Sequence, residues 1–191
     1  MRITIKSKVM TEKEIIDCLN LLGEEYTNLD IEIEIHTPRS LKSKKWMDKP
    51  DLTENEYNNI LTKGSIIIGI YISHLRKIKL FPFNFRESDY NKINYGDLSY
   101  RDFVKYGVIF NLYHEIRHAW QHTFDQEAFL KEREIDPSSE PQAYYNSNIE
   151  IDADNFEQET TSKFRHEIRK ILQIDSELFP TFPTFRELHG G

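Results

Sequence analysis

Residues 113–122, YHEIRHAWQH, decide how the chain is read, because they set His114, His118 and His122 at successive intervals of four with Glu115 beside the first. On a helix, positions i and i+4 lie one above the other on one face. His114 and His118 can therefore offer two nitrogens to a single Zn²⁺ at about 2.0–2.1 Å. Glu115, turned roughly 100° around the axis, reaches a water beside that ion rather than the ion itself. His122 cannot join them, since two turns put it about 12 Å along the axis from residue 114. The extended pattern with a following glycine and third histidine also fails, because Gln121 and Phe124 occupy those places. The plain alternative is a charged helix face in solvent.

Working outward, Ser99 and Asp102 have capping-box spacing, and the helical pattern runs from there to about Thr123. Ile109, Leu112, Ile116 and Trp120 form an apolar stripe that should fix this helix against the core. Gly107 lies two turns before His114, where glycine costs about 1 kcal/mol relative to alanine. Its presence implies a close neighbour, either a strand or substrate backbone crossing the ligand face or the sheet packed tightly against the helix.

Two histidines leave a metal short of a ligand. A second long pattern begins near Ser147, with Ile149, Ala153, Phe156, Phe164, Ile168 and Leu172 on one face, and is expected to form a helix of about six turns. Its opening, SNIEIDADNFEQE, separates Glu150 and Asp154 by one turn. Glu150 can complete the site while Asp154 accepts a hydrogen bond from the far nitrogen of a ligand histidine. Asp152 is a rival ligand, and a Ser147/Glu150 capping box would explain the glutamate without metal. RHEIRK at 165–170 is a false echo of the motif, since Lys170 stands where the second histidine should be, and an unbroken helix would hold His166 about 24 Å from Glu150.

The rest of the chain supplies strands. RITIKSKV (2–9) and DIEIEIHT (30–37) alternate, TEKEIIDCLNLLGEEY (11–26) is an amphipathic helix with a Thr11/Glu14 capping box, and a short helix fits residues 54–61. SIIIGIYIS and KIKLFPF, within 65–83, make a hairpin, whereas the charged stretch 124–146 reads as a partly ordered connection. The expected fold is α+β: a small twisted mixed sheet with an active-site helix and a second long helix. At 191 residues it is expected to be one domain, with a strand–helix–strand part over 1–64, a core over 65–175 and a Phe/Pro-rich tail over 176–191 whose phenylalanines lie along the body. A net charge of −7 argues against a nucleic-acid partner, and KSKK at 42–45 reads as a solvated loop. Cys18 is the only cysteine, so neither an internal disulfide nor a Cys-rich zinc site can form. With no signal peptide and no apolar run of membrane-crossing length, a cytoplasmic protein without a membrane partner is expected.

HEIRHAWQH and EIDADNF, joined as H-E-x-x-H at 114–118 and E-x-x-A-D at 150–154, resemble the gluzincin arrangement of zinc peptidases. The similarity is greatest to the small bacterial and phage metallopeptidases related to the ImmA/IrrE group, and covers roughly residues 65–160. It implies a zincin-like fold, His114, His118 and Glu150 as Zn²⁺ ligands, and Glu115 as catalytic base in peptide-bond hydrolysis. It also implies a strand beside the site, for which the 65–83 hairpin is the candidate, while no DNA-binding segment of the group is evident. The hairpin edge could take a protein or peptide substrate as an added strand. Tyr144, Tyr145 and His74 are candidate oxyanion donors. The unmatched ends motivate a rival reading, a non-catalytic zinc-containing protein-binding factor, that is, a phage or bacterial host-interaction or regulatory protein on the same scaffold.

Overall fold

Isoleucines alternating with charged residues set the centre of the fold. In the computed structural model, which describes residues 1–42, 51–92, 96–135, 139–180 and 182, four strands form a mixed sheet: β1 (Arg2–Ile5), β2 (Glu32–Ile35), β3 (Gly69–Ile72) and β4 (Lys77–Leu80). Their order is β1-β2-β4-β3, with β2 parallel to both β1 and β4, and β3 antiparallel on the edge. The register stacks Ile33 between Ile3 and Ile78, and Ile35 between Ile5 and Leu80. Since side chains alternate across a strand, this makes one face wholly apolar. The hairpin is as expected, its strands joined by a 3₁₀ turn at Ser73–Leu75.

The other face is less solvated than simple alternation suggests. Glu32 meets Arg2 at 2.8 Å and Lys77 at 3.4 Å. Lys79, only 3% exposed, meets Asp51 at 2.8 Å and Glu34 at 3.6 Å. Leu52, Tyr57 and Ile60 cover this network together with Leu41, Ile72 and Phe81, forming a second apolar cluster.

Among the described residues, helices pack on both faces of the sheet. In chain order they are α1 (Glu12–Asn20), α2 (Glu24–Thr27), α3 (Pro38–Leu41), α4 (Glu54–Leu61), α5 (Glu87–Lys92), α6 (Tyr100–Phe124), α7 (Gln126–Glu132), α8 (Pro141–Tyr145), α9 (Asn148–Lys163) and α10 (Arg165–Ile171). The Thr11/Glu14 capping box forms at α1, and Ser99 caps α6 by accepting from the Asp102 N–H at 3.1 Å. α6 runs between the sheet and α9, touching β3 and β4 on one side and α9 along the other. It is therefore buried nearly all round from Phe103 to Gln121, and the expected single stripe understates its burial.

Three further expectations are corrected. The connection over 124–146 contains two helices, α7 and α8. The second long pattern breaks at Phe164 (φ −103°, ψ 18°) into α9 and α10. Thr161 Oγ1 donates to the Glu157 carbonyl at 2.6 Å, a back-bond that loosens the last turn of α9. Gly107 faces neither a strand nor the sheet: a Cβ there would stand 2.2 Å from the Phe85 ring, so the glycine makes room for an aromatic side chain. Phe182 packs on that same ring, on Phe103 and on Phe110, and Phe179 packs on Tyr106, so these tail residues do lie along the body. Tail residues 181 and 183–191, and residues 43–45 of the basic run, lie outside the described residues.

The Lys79–Asp51 contact yields a stability prediction. Replacing Asp51 with Ala leaves a buried ammonium with Glu34 alone, and breaking a buried pair from one side costs about 3 kcal/mol. Urea unfolding should show that loss in Asp51→Ala; an unchanged midpoint would mean that Glu34 by itself compensates Lys79.

Candidate metal centre

The second half of α6 carries His114 and His118 inward against the first turns of α9 and Glu115 against β3, and the fully buried Ala153 lets the helices approach closely. All three α6 side chains are buried, at 2%, 4% and 2% exposure, which rules out the solvated-face alternative. His114 Nε2 and His118 Nε2 stand 3.0 Å apart, and Glu150 Oε2 lies 3.3 Å from the first and 3.4 Å from the second. Ligands held tetrahedrally at about 2.0–2.1 Å from a zinc are roughly 3.3 Å from one another. The triangle has the size that such an ion requires.

Proton placement strengthens the fit. His114 Nδ1 faces two carboxylates, Asp154 Oδ1 at 3.4 Å and Glu157 Oε2 at 3.5 Å, so it is the protonated nitrogen of that ring. His118 Nδ1 lies 2.9 Å from Gln121 Oε1, also an acceptor. Both Nε2 atoms then point lone pairs at a carboxylate oxygen, three acceptors converging without a donor. Glu150 Oε1 is likewise buried with no hydrogen-bond partner among the described residues. Desolvated acceptors in this arrangement need a proton or a cation among them.

The titration of the groups reflects this demand. Burial works to lower the pKa of His114, but hydrogen bonding to Asp154, Glu150 and Glu157 outweighs it and raises that pKa well above the ordinary histidine value. Burial works to raise Glu150, yet the neighbouring histidines hold it well below the carboxylate range. Burial pushes Glu157 up to about 8 against the pull of His114, and raises Glu115 as well. Four buried carboxylates, Glu115, Glu150, Asp154 and Glu157, thus surround two imidazoles. A dication there has the charge that the cluster calls for.

Two rival roles fall away. Asp152 points elsewhere, forming a two-point ion pair with Arg117 at 2.7 and 3.2 Å. Ser147 makes no side-chain cap on α9, so Glu150 is not committed to a capping box. Glu132 from α7 caps instead, accepting from the Ile149 N–H at 3.0 Å. His122 bonds Tyr71 Oη at 2.9 Å, outside the cluster as its distance along the helix requires, and His166 is on the exposed side of α10.

The residues considered as oxyanion donors separate in the structure. Burial and the charge of Glu150 raise Tyr144 well above the ordinary tyrosine value, and its hydroxyl accepts from Arg133 at 2.8 Å. Tyr145 packs edge-on against Tyr144, with ring centroids 5.3 Å apart, and is raised by burial and by Glu150. His74 is exposed on the turn after β3 and lines a cleft along that strand with Ile70, Ser73 and Arg133.

Among the residues near the site that escaped the sequence reading are Glu157, buried 3.5 Å from His114 Nδ1, Arg133 and Gly69. Arg133, at the end of α7, donates to Tyr144 Oη at 2.8 Å and feels the charges of Glu150 and Glu115. It lay in a charged stretch read as a connection, where nothing in the local pattern marks it. Gly69 of β3 was signalled only by a glycine inside an apolar strand. A Cβ at that position would meet Glu115 Oε1 at 2.9 Å, so the missing side chain lets the edge strand lie directly over the glutamate.

No protein-family model matches the chain, and neither the curated proteins nor the solved structures include a match to it. What the coordinates define is an α+β protein with a buried His114/His118/Glu150 group able to hold a metal ion, in a fold where no described helix is long and apolar enough to cross a membrane. A second group, His114/Asp154/Glu157, shares the first histidine and backs it from the other side.

Added Zn²⁺ should raise the melting temperature of the wild type and saturate at one equivalent. The same titration on His118→Ala or Glu150→Ala should give little or no shift; full zinc stabilisation in both variants would move the site elsewhere.

Proposed function

We propose that the protein is a zinc-dependent peptidase in which Glu115 is the general base. The observation that carries this reading is the convergence of three buried acceptor atoms, two imidazole nitrogens and one carboxylate oxygen, with a second buried carboxylate, Glu115, on the next position of the same helix and against Gly69 of the edge strand. Zinc held by His114, His118 and Glu150 would supply a Lewis acid that polarises a carbonyl and makes water acidic near neutrality. With three protein ligands, the arrangement suits catalysis better than a structural site, which closes all four positions.

The chain's own groups then divide the work. Glu115 takes the proton of the attacking water and passes it to the departing amine. Burial raises its pKa above the ordinary carboxylate value, which makes it a stronger base for a proton it must accept and then release. Tyr144, held by Arg133, offers an O–H towards the negative charge that develops on the carbonyl oxygen.

Substrate would bind along β3. The Phe81 N–H donates to the Ile68 carbonyl at 2.7 Å, which makes 68/81 a hydrogen-bonded pair of the ladder. By the alternation of antiparallel pairing, 70/79 and 72/77 are bonded as well, so the backbone groups of Gly69 and Tyr71 point to the free edge. An extended peptide can add there as a further strand, recognised mainly through its backbone.

Glu115→Gln should keep zinc bound while cleavage of a peptide library falls by about 10²–10⁴-fold. Tyr144→Phe should lower kcat by about 10²-fold with KM little changed. Wild-type turnover in Glu115→Gln would remove the residue from the chemistry, and no cleavage by zinc-loaded wild type of any library member would leave a binding protein on the same scaffold.

A further inference from the structure

We propose that Gln121 is the positioning residue of the metal centre, one side-chain amide that sets the tautomer of His118 and ties that ring to the turn carrying Glu150. The inference rests on the metal reading above and concerns a residue that entered the sequence argument only as a departure from another zinc pattern. Gln121 lies one turn beyond His118 on α6 and is 5% exposed.

Its hydrogen bonds fix which way the amide points. Gln121 Nε2 donates to the Ile149 carbonyl at 3.0 Å and to Asp152 Oδ2 at 2.7 Å. A backbone carbonyl and a carboxylate can only accept, so the nitrogen faces both and its two hydrogens are committed. Oε1 is left for His118 Nδ1 at 2.9 Å, and an oxygen can only accept there. The ring must therefore carry its hydrogen on Nδ1, which leaves the Nε2 lone pair for the metal.

The same amide joins the two helices that supply ligands. Ile149 directly precedes Glu150, so the bond to its carbonyl holds the first turn of α9 at a set distance from His118. Asp152 is in turn held by Arg117, whose guanidinium lies 4.2 Å above the Trp120 ring and donates to Tyr26 Oη at 2.6 Å. A chain of contacts thus runs from α2 through Arg117, Asp152 and Gln121 to the metal ligand. This gives Asp152 a role as an orienting group two hydrogen bonds removed from the ligand histidine. It also distinguishes the two histidines: carboxylates back His114, while a neutral amide backs His118 and directs it without adding charge.

The test uses the full chain and zinc alone, with affinity read by chelator competition. Gln121→Met preserves length and shape but none of the hydrogen bonds. It should bind zinc about 10–100-fold more weakly than wild type, the loss typical when a ligand histidine is deprived of its supporting partner. The visible spectrum of the cobalt-substituted variant should shift, and nitrogen-15 spectra should show His118 losing its fixed Nδ1–H form, changes that a purely structural defect would not produce. Asp152→Ala, at a half-exposed position that can lose its side chain without a cavity, should weaken zinc binding by about threefold or more, and it decides the matter should Gln121→Met not fold. Zinc affinity within twofold of wild type in either folded variant would overturn the role of Gln121. Absence of zinc binding by the wild type would instead overturn the metal reading beneath it.

Discussion

Two imidazole nitrogens and one carboxylate oxygen face one another at 3.0–3.4 Å inside the protein, each presenting a lone pair. Such a group cannot be left as it is in a desolvated interior: it must take up a proton or close around a cation. Much of the surrounding structure serves this requirement. Asp154 and Glu157 stand behind one ring and Gln121 behind the other, so both hydrogens are drawn away from the centre. The helix that carries the rings is enclosed on both sides, which fixes their direction more firmly than a surface helix could.

Precision at the centre depends on the sheet as well as on the helices. The apolar face of the sheet seats α6 on β4 and β3, and the antiparallel β3 brings an edge strand directly over Glu115. Gly69 is what allows the strand so near. The apolar register of Ile33, Ile35, Ile78 and Leu80 thus acts at a distance on the site: by locating α6, it locates the glutamate relative to a free strand edge. On the opposite face, the ion pairs of Lys79 and Asp51 hold the segment before α4 over the sheet, so charges that sequence alternation assigns to solvent become part of the interior.

The legible parts of the fold were those with strong periodicity or fixed ligand spacing. The four-residue interval between His114 and His118, and the one-turn interval between Glu150 and Asp154, are direct consequences of helix geometry and can be read without coordinates. So could the hairpin, the Thr11/Glu14 cap and the α+β class. Less legible were features that depend on what arrives from elsewhere in the chain. The burial of α6 on its polar side follows from the way α9 packs along it; the pattern beginning near Ser147 announces that helix but not how much of α6 it encloses. Gly107 signalled close approach, but only the tertiary structure names Phe85 as the neighbour. The break at Phe164 interrupts an apolar pattern that stays in phase through it, because α10 returns Ile168 and Leu172 to the core in a new direction. Arg133 and Gln121 each look like an ordinary polar residue until their partners, Tyr144 and His118, are brought beside them.

X-ray absorption at the zinc edge of the purified, zinc-loaded protein measures the central group most directly. The structure predicts two imidazole nitrogens and one or two oxygens at about 2.0–2.1 Å with no sulfur, and the imidazole scattering should fall by half in His114→Ala. A shell of oxygens alone, or a spectrum indifferent to that substitution, would contradict the account.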